Sequence, residues 1–153
     1  MGFVVESKIQ INTPSIWVWR TLIDFNAYKD WNPFTPRVEI QPNIGSEVVL
    51  YVRMNPASDK IIQQKETLLC WNEPYQIDWG IANSAFLKTV RTQRLRTLDA
   101  ITTEYYTSDI INGPISWLVK WGYQHKIQKG FDSVAKALKE EAERRYKSSA
   151  GTT

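Results

Sequence analysis

Thr107-Ser108-Asp109-Ile110-Ile111-Asn112-Gly113-Pro114-Ile115-Ser116-Trp117-Leu118-Val119 is where the chain changes its period. After Asn112-Gly113-Pro114, apolar residues recur at i, i+3, i+4 and i+7 through Ile115, Leu118, Val119, Ile127, Phe131, Val134, Leu138 and Ala142. That spacing predicts one amphipathic helix of about eight turns, roughly 45–50 Å long, more than the width of a small domain. Its far end places Glu140, Glu141 and Glu143 four residues ahead of Arg144, Arg145 and Lys147, the favourable order for helix ion pairs. Ser148 to Thr153 reads as a frayed tail, which leaves residues 1–147 as a single domain.

Upstream of the switch the period is two. Phe3, Val5, Ile9 and Ile11 alternate with Val4, Glu6, Lys8 and Gln10, the mark of a half-buried strand. Asn12-Thr13-Pro14 stops it, and a hydroxyl cap followed by proline starts a helix through Trp17, Trp19 and Leu22. A second short helix over Asn26 to Asp30 ends in Trp31-Asn32-Pro33-Phe34. Strand patterns follow around Val38–Ile40, Val48–Met54, Ile61–Trp71, Tyr75–Ile81, Phe86–Leu98 and Ile101–Ile110, joined by turns rich in Asn, Gly, Pro and Asp. This is an antiparallel meander. About seven strands with one apolar face need a cover, and the three helices are the only candidates. A strongly curved sheet gripping a long helix is expected to leave space between them.

Composition narrows the function classes. The 153 residues carry 19 basic and 16 acidic side chains, a net charge of +3, with Lys and Arg spread along the chain, so no nucleic-acid partner is expected. One cysteine (Cys70) and one histidine (His125) leave no set of residues for a familiar metal site, and neither metal nor cofactor is expected. No apolar run approaches the roughly 20 residues that span a bilayer, and the start shows neither a signal segment nor a myristoylation site. A cytoplasmic protein without integral membrane association, monomeric or weakly dimeric, is the expectation. The aromatic load is unusual: seven Trp, seven Tyr and five Phe. Each Trp and Tyr carries a polar group that needs a partner when buried, and an amphipathic cavity supplies one.

A resemblance spans nearly the whole chain. Pro14-Ser15-Ile16-Trp17-Val18-Trp19-Arg20, then Asp24-Phe25, Tyr28 and Trp31-Asn32-Pro33-Phe34, resemble the opening of the polyketide cyclase/dehydrase branch of the SRPBCC superfamily, which is START-related and birch-pollen-allergen-like. Asn43-Ile44-Gly45, Trp71-Asn72-Glu73-Pro74-Tyr75, Thr103-Glu104-Tyr105-Tyr106 and Gly130-Phe131 follow in the same order. The resemblance implies an α+β helix-grip fold, in which two short helices and a long C-terminal helix cover a curved sheet of about seven strands and close an apolar cavity. It also implies that Glu104 and Tyr106 point into that cavity. Ser108 stands where such relatives often have glycine, and Val134 where they often have methionine.

Candidate chemistry is sparse. His125 is the only possible imidazole base, and no nucleophile elbow or phosphate-cradling loop accompanies it. Glu104 beside Tyr106 could act as general acid or base if desolvated; the structural alternative is an ion pair with Arg91 or Arg94 on the next strand. Asp78 and Arg91 carry the same ambiguity. Tyr28, Trp31, Asn32, Trp79, Glu104, Tyr106, Trp117 and Trp121 form the candidate ligand-binding set, although aromatics at helical spacing also serve as plain core.

Three readings follow. The first is a cavity protein binding a hydrophobic or aromatic small molecule of lipid, isoprenoid or polyketide type. The second is a cyclase, aromatase or dehydratase in which Glu104, Tyr106 or His125 moves protons; confinement alone can contribute about 7–11 kcal/mol to ring closure. The third is a protein-interaction module, which predicts a filled interior with a cavity below about 300 Å³.

Overall fold

The computed structural model describes residues 2–150. The chain runs β1 (Phe3–Ile11), α1 (Ser15–Ile23), a 3-10 turn (Phe25–Ala27), α2 (Tyr28–Trp31), β2 (Arg37–Glu39), β3 (Glu47–Val52), β4 (Ile62–Asn72), β5 (Gln76–Gly80), β6 (Lys88–Asp99), β7 (Thr102–Asn112) and α3 (Ser116–Ala150). The seven strands form one antiparallel sheet in the order β1-β7-β6-β5-β4-β3-β2. The meander from β2 to β7 is thus closed by the first strand docking on the last. Irregularities at Leu68/Cys70 and Thr97/Asp99 bend the long strands, as bulges do, and help the sheet curl.

The alternation read in β1 holds: Phe3, Val5 and Ile11 are buried while Val4, Glu6, Lys8 and Gln10 are exposed. At α1, Pro14 itself takes the N-cap position and no side chain caps the helix. The buried Thr13 hydroxyl has no partner, so it is not the expected cap; the Thr13 carbonyl accepts from Thr103 Oγ1 at 2.8 Å and ties this corner to β7.

The terminal helix is longer than expected. It spans 35 residues and continues through Ser148–Ala150, which the sequence reading assigned to the tail; residues 151–153 lie outside the described range. Its ion pairs also differ in part. Glu141 accepts from both Arg144 and Arg145, and Glu143 pairs back with Lys139. Arg145 reaches on to Asp24 at 3.1 Å, tying the end of α3 to the end of α1.

α3 does not cover the sheet evenly. It packs closely along β1 and against α1, touches β7 and makes few close approaches to β3–β6. Its C-terminal half seals the core through Val134, Leu138 and Ala142. Its N-terminal half stands over the other side of the sheet, where the site lies.

Candidate functional site

A cavity of about 260 Å³ sits between the first half of α3 and the inner face of β3 to β7. Leu50, Val52 and Ile62 supply its aliphatic wall, and Trp79, Phe34 and Phe131 its aromatic one. Val119, Tyr123 and Ile127 face it from α3 at four-residue spacing. Phe34 arrives from the corner after α2, where Asn32 Oδ1 accepts from the backbone N–H of Phe34 at 3.1 Å and of Thr35 at 2.8 Å. Asn32 therefore shapes the cavity by holding the loop that carries Phe34 and Thr35 into it.

The polar end of this otherwise apolar space comes from three strands: Glu66 of β4, Arg91 of β6 and Asp109 of β7. Arg91 and Asp109 are directly opposed across β6 and β7. The Arg91 guanidinium lies 4.3 Å from the centroid of the Phe131 ring and 5.9 Å from that of Trp79, and its Nε donates to Thr107 Oγ1 at 3.4 Å. Burial pushes the Asp109 carboxyl up to about 6, with Arg91 opposing the rise. Burial likewise pushes Glu66 up to about 7, aided by repulsion from Asp109 and opposed by Arg91. Two carboxyls that change charge near neutral pH inside a desolvated pocket are suited to hydrogen-bond a guest or to exchange protons with it.

Three buried polar atoms on residues lining this space have no hydrogen-bond partner: Asp109 Oδ1, Trp79 Nε1 and Thr35 Oγ1. Most buried polar groups in folded proteins are paired, so a group of exceptions around one cavity is a feature of that cavity.

The candidates from the sequence are divided by this geometry. Trp79 lines the cavity. Glu104 and Tyr106 do not: they lie on the outer face of β7, in a shallow recess with Glu6, Lys8 and Arg94. Glu104 pairs with Arg96 at 3.0 Å, not with Arg91 or Arg94, and the Tyr106 hydroxyl donates to Glu6 at 2.8 Å. Ser108 shares that outer phase and adds no bulk to the cavity. The inner phase belongs to Thr103, Tyr105, Thr107, Asp109 and Ile111. It reads as polar in the sequence, yet its hydroxyls are satisfied: Thr103 donates to Thr13, Tyr105 to Gln93 at 2.7 Å and Thr107 to the Thr92 carbonyl at 2.9 Å.

Tyr28 is core, its hydroxyl donating to the Leu22 carbonyl and pushed to a higher pKa by burial. Trp31 packs edge-on against Tyr28 with ring centroids 4.9 Å apart, away from the cavity lining. Trp117 and Trp121 are exposed on a different face of α3 from Val119 and Tyr123. His125 lies in an outer groove with Arg53, Lys126 and Lys129. Asp78 also faces outward, accepting from Gln76 Nε2 at 3.1 and 3.0 Å. Glu66 and Asp109 are absent from the set read from the sequence, and their signal is faint: Glu66 is the one acid of β4, Asp109 shares β7 with Glu104, and other polar residues break the alternation of both strands. Among the described residues no group of three or more His, Cys, Asp or Glu is placed to hold a metal, and no helix is long and apolar enough to cross a membrane.

A sheet wrapped around a long C-terminal helix, with a cavity under that helix, has solved counterparts. The Zhui aromatase/cyclase from Streptomyces sp. R1128 superposes with a TM-score of 0.76 at 20% identity, covering 95% of this chain and 96% of that one. This is the helix-grip fold. A START superfamily protein from Mycobacterium smegmatis shares it with a TM-score of 0.70 at 17% identity over 93% of this chain and 98% of that one. Norcoclaurine synthase from Thalictrum flavum shares it with a TM-score of 0.68 at 9% identity, over 95% and 96%. The helix-grip scaffold expected from the opening motif is therefore present. No family model matches the chain, and no curated protein matches it. At such identities the likeness is one of fold, and a fold hosts many chemistries.

Proposed function

We propose that the protein binds a compact, mainly apolar small molecule in the cavity beneath α3, with a polar group of that molecule seated against Glu66, Arg91 and Asp109. The observation that carries this reading is Asp109: a buried carboxyl with an unpartnered oxygen, lining an otherwise apolar space. A packed interior serving only to support an outer surface has no use for such a group, since an unsatisfied buried polar atom costs about 1–3 kcal/mol. The volume of about 260 Å³ falls just under the roughly 300 Å³ below which the protein-interaction reading is favoured, so the support for a guest comes from the polar groups lining the space and not from its size. It favours a single ring or a short isoprenoid-like chain over a polycycle or a long lipid. Trp79 and Phe34 offer flat faces to such a guest.

A second reading is favoured by one specific feature, the two carboxyls held near neutrality. In that reading Glu66 and Asp109, in place of Glu104, Tyr106 and His125, move protons during a cyclisation or dehydration of the bound molecule. The free thiol of Cys70 suits a reducing compartment such as the cytoplasm.

Mass spectrometry under native conditions, followed by extraction, tests the first reading: the purified chain carries a small apolar molecule that Asp109→Asn and Trp79→Ala lose. Recovery of no guest, together with unchanged stability on adding aromatic or isoprenoid probes, overturns it. Turnover of a cyclisable substrate that Asp109→Asn abolishes at unchanged affinity selects the second.

A further inference from the structure

Trp121 is the most exposed large hydrophobic residue described, at 87%, and Trp117, one turn earlier on α3, is 64% exposed. Phe86, in the loop between β5 and β6, is 65% exposed, and its carbonyl accepts from the Ile115 N–H at 3.3 Å, so loop and helix start form one protrusion. Gly113 makes this approach possible: a Cβ there would stand 2.4 Å from the Phe86 carbonyl oxygen, and its φ of +116° suits glycine. Leu118 extends the apolar surface.

The charge around this protrusion is one-sided. Residues 79–98 and 110–131 contain no Asp or Glu, although the chain has 16 of them. The same two segments expose Lys88, two residues after Phe86, and Lys120, between Trp117 and Trp121, while Lys126 and Lys129 lie in the outer groove with His125. A ridge of Trp, Phe and Leu carried on segments that hold lysines and no acids matches an anionic bilayer surface: indole rings settle at headgroup depth, and a lysine close to the membrane is attracted by its negative surface potential.

We propose that the start of α3 and the β5–β6 loop form a peripheral docking surface for anionic membranes, with Trp117, Trp121 and Phe86 inserting at headgroup depth and the lysines contacting lipid phosphates. The docking itself does not depend on what the cavity holds. The surface adjoins the cavity, whose lining includes Leu87, Val119 and Tyr123, sequence neighbours of these residues.

The test is cosedimentation of the full chain with vesicles of phosphatidylcholine alone or with a third of phosphatidylglycerol. Expected is at least tenfold stronger partitioning onto the anionic vesicles, a tenfold or greater loss for Trp117→Ala/Trp121→Ala, and loss of the lipid preference for Lys88→Glu/Lys120→Glu. Brominated lipid should quench the wild-type tryptophan fluorescence, a measurement that needs no variant. Circular dichroism melts of the variants should match wild type, since the altered side chains are exposed. No binding to either vesicle, equal binding to both, or binding retained by the double tryptophan variant would each overturn the proposal. So would a concentration-dependent dimer that the tryptophan variant dissolves while wild type ignores vesicles; the face would then belong to a second copy of the chain.

Discussion

Arg91 and Asp109 stand opposite each other on the inner face of β6 and β7, yet the arginine caps the ring of Phe131 and forms no ion pair with the aspartate within 4 Å. The positive charge moderates Asp109 and Glu66 from nearby and leaves an oxygen of Asp109 unpartnered. The cavity thus holds one cation and two carboxyls whose charge depends on pH.

Stability should fall as the pH rises through this pair's titration. Both carboxyls have folded pKa values raised above their unfolded ones, so the folded chain binds more protons than the unfolded chain. The contribution is fully present below the unfolded carboxyl range near pH 4 and is lost through about 6 for Asp109 and about 7 for Glu66. Each loss is of order 2–3 kcal/mol. Urea denaturation near pH 5 and pH 8 measures it, and Asp109→Asn with Glu66→Gln should flatten the slope. A wild-type curve that is flat or rising over this interval contradicts the burial of the pair.

Arg91→Met should destabilise the fold more near pH 8 than near pH 5, because at the higher pH it leaves two desolvated carboxylates without the nearby positive charge that moderates them. Near pH 5 the carboxyls are largely neutral and the cost should shrink to the lost packing on Phe131. A penalty independent of pH would show that Arg91 acts through packing alone.

Gly130→Ala should destabilise the fold in spite of alanine's better helix propensity. The added Cβ would stand 2.2 Å from Cδ1 of the Phe34 ring, which is buried against Phe131. Crowding costs about 1–3 kcal/mol and the helix gains back up to about 1. Thermal melting should show a net loss, and guest affinity should drop because Phe34 must shift where it lines the cavity.

Glu104→Gln should change little. Its partner Arg96 has a side chain 66% exposed, and such surface pairs contribute at most about 1 kcal/mol. Binding of any cavity guest should match wild type within twofold by calorimetry. A large loss would return Glu104 to the site from which its place on the outer face removes it.

Much of this protein was legible because periodicity is local. The alternation of β1, the turns of the meander and the change to helical spacing after Pro114 each depend on neighbours a few residues apart, and the backbone obeys them. The sequence alone therefore determined the order of elements and, with the opening motif, the helix-grip scaffold. It left the inner face of β7 open, and the resemblance pointed to the wrong one: Thr103, Tyr105 and Thr107 face inward with their hydroxyls satisfied by partners on other segments, while Tyr106 and Ile110 face out. Only the tertiary structure decided that Glu66, Arg91 and Asp109 share one desolvated space. Their meeting depends on the register of β6 against β7, on the curl of the sheet that brings in β4, and on α3 packing along β1, and no window of adjacent residues encodes such long-range placements.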